Sequence, residues 1–234
     1  MSAVVRQWIN RSLWDVVPRD HRDSQEALRR RQVVTASFVV LGAIVLGILL
    51  RLDQGSTLFI LMSLVLAGVW TVGAFVSGPI HLGRIVAKED MEVRPIVQPL
   101  LIGAVLAGIF VVGALIVREI DPLAEQIRNV LGFASEGYLP ALVVVTALNG
   151  VAEELFFRGA AYAAITRHPV AWTTLAYTIA TAATGNIMLA FAAVILGVLV
   201  GLQRRASGGI LAPILTHCTW SLTMLFALPA IFGV

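Results

Sequence analysis

Long apolar runs separated by short polar stretches dominate the chain, and their texture changes between its two halves. Residues 33–50, 58–76 and 96–117 carry no charged side chain. At ~1.5 Å rise per residue, runs of this length suit helices crossing a hydrocarbon layer of ~30 Å. Four later runs, 139–164, 170–183, 187–202 and 210–232, are shorter or interrupted by polar side chains. The pattern predicts about seven transmembrane helices, with the last four gathered around a hydrated cavity, because polar interruptions at membrane depth face protein rather than lipid.

Two further segments are amphipathic. Val5, Trp8, Ile9, Leu13 and Val16 recur at helical spacing opposite Arg6, Gln7, Asn10 and Arg11, until Pro18 interrupts. This predicts an N-terminal interfacial helix lying on the membrane. Between the third and fourth runs, "REIDPLAEQIRNVLGFASEGY" places Leu123, Ile127, Val130 and Leu131 on one stripe, with Pro122 suited to a helix start. It predicts a short surface helix on the side of the membrane opposite the N-terminus. The expected fold class is therefore an all-α polytopic membrane protein, with a cytoplasmic or interfacial segment at 1–32, N-terminal membrane helices over 33–137 and a membrane core over 138–234.

Composition agrees with this reading. Of 234 residues, 58% are hydrophobic and 13% charged, and the mean hydropathy is +0.88, outside the range of ordinary soluble domains. The net charge of +3 comes from Lys and Arg in short segments between the runs, not on one soluble face, so no nucleic-acid partner is expected. With seven spans and the N-terminus in the cytoplasm, fourteen of the 17 Lys and Arg fall on the cytoplasmic side; only Arg51, Arg118 and Arg128 fall outside. That asymmetry predicts N-terminus in and C-terminus out. The first 32 residues lack a short apolar core with a small-residue cleavage site, so the first run is expected to remain a span. The single cysteine, Cys218, excludes an intramolecular disulfide. No G-x-x-x-x-G-K-[ST] element occurs, which removes the sequence basis for a nucleotide-driven pump.

The candidate chemistry lies in "GVAEELFFRGA", which takes Glu153, Glu154 and Arg158 into an apolar run. Ionised groups at mid-helix cost several kcal/mol on insertion scales and are expected to find partners inside the bundle. Glu154 and Arg158 stand at i, i+4 and can pair. Glu153 is rotated by about 100° and is left over, free to activate water as a general base. His217, in "LAPILTHCTWSL", comes to a similar depth from the last run, where it can hold that water, stabilise an oxyanion or ligate a metal. His21, His81 and His168 occupy polar or boundary positions, where surface roles are the default. Gly197 and Gly201 form a G-x-x-x-G pair that predicts close helix packing.

The element "EELFFR", followed by "RGA" and the later "GGILAPILTH", resembles the E-E-x-x-x-R motif and the last histidine helix of the CAAX prenyl protease and bacteriocin-processing (CPBP, or Abi) intramembrane endopeptidases. The resemblance covers roughly residues 138 to 227. It implies that Glu153 activates water, that Glu154 and Arg158 support it, and that His217 belongs to the water- or metal-binding site. This chain departs from the pattern at two places: the F-x-x-x-H element reads Tyr177 then Thr181, and H-x-x-x-N reads His217 then Ser221. Tyr177, Thr181 and Ser221 are therefore candidate supporting residues. Thr174, Thr178 and Thr181 share a face that either orders a water or packs against a neighbour. For a divalent metal such as zinc, which takes three protein ligands and an open position, the candidates are Glu153, Glu154 and His217.

Two functions of different class follow. The first is an intramembrane endopeptidase hydrolysing a peptide or protein tail that enters from the cytoplasmic half. The second is a catalytically inactive accessory, immunity or assembly subunit that keeps the fold and binds another membrane protein. Both imply a lipid-bilayer location, by the resemblance a bacterial plasma membrane.

Overall fold

The computed structural model describes residues 3–17, 23–53, 56–86, 92–136 and 139–233. The N-terminal helix α1 (Ala3–Leu13) is followed by α2 (Gln25–Leu49), α3 (Thr57–Ser77), a two-residue antiparallel pair β1 (Ile85–Val86) and β2 (Glu92–Val93), then α4 (Val97–Val117) and α5 (Asp121–Glu136). A continuous helix covers 139–164, built from α6 (Leu139–Glu153), a π-helical segment (Glu154–Ala161) and α7 (Tyr162–Ala164). The chain ends with α8 (Pro169–Ala182), α9 (Ile187–Ser207) and α10 (Leu211–Phe232).

Among the described residues, six helices are long and apolar enough to cross a membrane: α2, α3, α4, the 139–164 helix, α9 and α10. The protein is an all-α polytopic integral membrane protein. The fifth apolar run forms α8, whose 14 residues reach only ~21 Å, too short to count with these six; packed along α9, it still carries the chain from Ala164, whose carbonyl accepts from Gln32 of α2, to Asn186, whose Nδ2 donates to Gln126 O of α5. Helix α9 runs past the apolar stretch because Gln203, Arg204 and Ser207 are buried within the protein and bonded there. The β1–β2 pair had no signal in the hydrophobic pattern.

Local sequence explains the boundaries. Ser24 and Ser56 cap α2 and α3 by accepting from Ala27 N and Phe59 N, and Asn186 caps α9 by accepting from Met188 N and Leu189 N. Helix α10 has no side-chain cap; its first N–H groups, Ile210 and Leu211, donate to the carbonyls of His81 and Leu82. This contact is close enough that a Cβ on Gly209 would lie 2.0 Å from Gly83 N. His168 takes the left-handed conformation (φ 51°) in the tight turn before Pro169. His21 and Pro18 lie outside the described residues.

Helix α10 sits centrally, against α4, α6 and α9, while α3 packs on α2, α6 and the π segment. Gly42 admits the Trp70 ring, which a Cβ would overlap at 2.0 Å. The α8–α9 contact uses the glycine pair: a Cβ on Gly197 would meet Thr174 at 2.9 Å and one on Gly201 would meet Val170 at 2.9 Å. Helix α1 lies against α9 and β1, leaving Val5, Trp14 and Val16 exposed. Helix α5 buries Ala124, Ile127 and Leu131 against the ends of α4 and α10, the stripe its sequence predicts shifted slightly toward Ala124.

Candidate active site

The site is built where the 139–164 helix changes winding. Glu153 is the last α-helical residue and Glu154 the first of eight π-helical ones. Such widened turns are frequent at functional sites. One face of the segment is aromatic: Phe156 and Phe157 stack on Trp70 of α3, with ring centroids 4.5 and 5.6 Å away. That packing fixes the helix rotation, so that Glu154 and Arg158 turn toward α9 and α10. The carbonyl of Arg158 accepts from Arg204 Nε at 2.6 Å, tying the π segment to α9.

Glu154 is the centre of the arrangement. Its Oε1 accepts from Arg158 Nη1 at 3.1 Å and from His217 Nδ1 at 2.8 Å, and Glu154 and Arg158 are both 0% exposed. Because an ionised carboxylate only accepts, the bond to His217 places a hydrogen on Nδ1 and leaves Nε2 for other chemistry. Arg158 also donates from Nη2 to Gly197 O at 3.3 Å, and its guanidinium stacks 4.9 Å from the centre of the Tyr177 ring. Gly197 is therefore more than a packing residue: a Cβ there would lie 3.4 Å from Arg158 Nη2. Gly150 lets α6 approach α10, with Cys218 Sγ 3.4 Å and His217 Cδ2 3.8 Å from where its Cβ would stand.

Glu153 stands beside this cluster without joining the ion pair. Its ionisable neighbours are His217, Glu154 and Arg158, and the Tyr177 hydroxyl lies beside its carboxylate. The expected pairing of Glu154 with Arg158 is present; the direct hydrogen bond of His217, however, goes to Glu154 and not to Glu153. The cause is helical phase. The rotation that places Glu154 toward Arg158 also aims it at α10.

Of the three supporting candidates, the structure brings only Tyr177 into the cluster. It lies edge-on to Phe157 at 5.3 Å and to His217 at 6.3 Å. The Thr181 hydroxyl donates to Tyr177 O at 2.9 Å, and that of Ser221 to Cys218 O at 3.4 Å. Thr174 and Thr178 have hydroxyls with no hydrogen-bond partner among the described residues. A neighbouring network that the motifs do not mark joins three helices: Gln203 Nε2 donates to Thr216 Oγ1 at 2.8 Å, which donates to Pro99 O at 3.0 Å. The polar pair Gln203 and Arg204 at the end of an apolar run was its sequence signal.

The donor set does not fit a zinc site. Three protein ligands are wanted, but Glu154 Oε1 already accepts two donors and His217 Nδ1 is bonded to it. Glu153, Glu154 Oε2 and His217 Nε2 remain, but no group of three His, Cys, Asp or Glu side chains converges on one point among the described residues.

Comparison with known proteins places this cluster in a family context. A family model described as type II CAAX prenyl endopeptidase Rce1-like matches residues 135–223. Over that segment, well under half of the chain, the protein is similar to this family. The segment contains the whole cluster, from Glu153 on the 139–164 helix to His217 on α10, and excludes α1–α4. No curated protein and no solved structure matches the chain.

Proposed function

We propose that the protein is an intramembrane endopeptidase in which Glu153 activates water for hydrolysis of a peptide bond. The observation that carries this reading is the division between adjacent carboxylates. Glu154 holds both Arg158 and His217 through Oε1, while Glu153 stays outside the ion pair beside the same histidine and the Tyr177 hydroxyl. In the proposed step a water donates one hydrogen to Glu153 and the other to His217 Nε2. Glu153 removes its proton as the oxygen attacks the peptide carbonyl carbon. It then returns that proton to the leaving nitrogen, so the C–N bond breaks to give a carboxylic acid, which keeps the second water hydrogen, and an amine. Glu154 and Arg158 are positioning residues: they hold His217 and fix the helix. Tyr177 positions Glu153 through its hydroxyl. No step requires a metal.

The substrate class is a peptide or lipidated protein tail reaching the site from the cytoplasmic half, with the N-terminus in and the C-terminus out, as the Lys and Arg distribution favours. The experiment is cleavage of a labelled membrane-peptide library by wild type, Glu153→Ala and His217→Ala protein in bilayer discs. The proposal expects products from wild type alone; equal turnover in all three, or none in any, refutes it. A second reading, an inactive subunit of another membrane protein, is favoured by the absence of a histidine between residues 169 and 216. It expects a stoichiometric partner on co-purification from native membranes, unaffected by Glu153→Ala.

A further inference from the structure

An apolar internal space lies away from the carboxylates. A cavity of about 490 Å³ is lined by α4, α5, α6, α9 and α10 at the end of the bundle that α5 covers, opposite the α9–α10 turn. This size is typical of small-molecule sites. Its wall is almost wholly apolar, with only Thr146, Asn186 and Ser221 contributing polar side chains besides the Trp220 indole. Asn186 is already bonded, through Nδ2 to Gln126 O and through Oδ1 to the start of α9. Among the described residues, nothing in the wall offers a charge to a polar ligand.

The route into the cavity identifies what can reach it. Helices α4 and α9 each pack on α10, but their backbones stay apart. Side chains bridge the gap: Leu106 packs with Leu196 and Val200, and Phe110 faces Phe191 with ring centroids 6.3 Å apart. On this side, the wall residues Ile109 and Phe191 are 62% and 55% exposed, and Val112, Ile116 and Ile187 beside them are exposed as well. In a membrane-spanning bundle that surface meets lipid tails, so the molecules at the gap are hydrocarbon chains and not aqueous solutes.

We propose that this cavity holds a single acyl chain of a bilayer lipid, entering sideways between α4 and α9. The chain would lie against Trp220, which separates the cavity from the candidate active site: its ring is 6.4 Å from His217 on one side and 5.2 Å from Phe110 on the other. The site is thus a lipid-chain site distinct from the carboxylate cluster, independent of whether that cluster hydrolyses anything.

The test uses two glycines of the same helix. A Cβ at Gly113 or at Gly108 meets nothing within 4 Å, so a larger side chain is sterically admitted at both, but only Gly113 lines the cavity. Purified full-length protein in detergent is titrated with the fluorescent fatty acid cis-parinaric acid and competed with oleate or farnesol. The proposal expects saturable binding of one probe per chain, displaced by oleate, weakened at least tenfold by Gly113→Phe and unchanged by Gly108→Phe. Equal binding by the two variants, or by neither variant and not by wild type, overturns it. Displacement by farnesol at concentrations at least tenfold below those of oleate also overturns it, by assigning the cavity to an isoprenoid chain.

Discussion

Replacing Glu154 by Gln separates the roles of the adjacent carboxylates. The substitution keeps the shape of the side chain but removes the charge facing Arg158, which is 0% exposed and whose Nη1 lies 3.1 Å from Glu154 Oε1. Removing one partner of a buried pair leaves an uncompensated charge and costs about 3–5 kcal/mol. For a chain of this size that corresponds to a fall of roughly 6–20 °C in unfolding temperature. Glu153→Gln removes a carboxylate that makes no ion pair, and its cost should stay within about 1 kcal/mol. Thermal unfolding of both variants in the same detergent makes the comparison. Adding Arg158→Met to Glu154→Gln should recover most of the loss, since replacing both members of a buried pair by residues of similar volume is often neutral. Equal destabilisation by Glu153→Gln and Glu154→Gln, or no recovery in the double variant, would refute the division of roles.

Three other substitutions test neighbouring parts of the account. Gly197→Ala introduces a Cβ 2.9 Å from Thr174 and 3.4 Å from Arg158 Nη2. It should cost about 1–3 kcal/mol and lower peptide cleavage, whereas Gly108→Ala should do neither; unfolding curves and turnover read both. Tyr177→Phe keeps the ring under Arg158 but removes the hydroxyl from Glu153, so cleavage should fall roughly 10²-fold, the scale of losing one positioned donor, with the unfolding temperature almost unchanged. Asp23→Asn discharges the partner of Arg31, which is 3% exposed and bonded to Asp23 at 2.7 Å. Because Asp23 is itself partly exposed, the expected cost is smaller, about 1–2 kcal/mol, read by denaturation in detergent.

Much of the architecture was legible because the bilayer imposes long apolar helices. The ends of α3 and α4 lie within one residue of the runs that predict them, as does the whole of 139–164. Helix α2 starts earlier than its apolar run because the helix signal there is the Ser24 cap and not hydropathy. The pairing of Glu154 with Arg158 followed from i, i+4 spacing. What spacing could not supply was the local change to π winding, which no residue type announces, and with it the rotation that sends His217 to Glu154. Nor could it show that Thr181 and Ser221 bond their own helix carbonyls. Hydroxyls in apolar helices have that local option as well as a cavity-facing one, and only the packed helices decide between them. Tyr177 is the converse case: an ordinary aromatic in sequence, it becomes a site residue because α8 lays it beside both Arg158 and Glu153.

The claim that Glu153 turns water into the nucleophile is tested most directly by following the oxygen. Cleavage of a peptide identified from the library is run in water enriched in oxygen-18, and the new carboxyl group is read by mass spectrometry. The account predicts one oxygen-18 atom per product carboxyl from wild type, and loss of at least 10²-fold in product from Glu153→Gln protein that unfolds at the wild-type temperature. Product formed by Glu153→Gln at the wild-type rate, or wild-type product without the label, would contradict it.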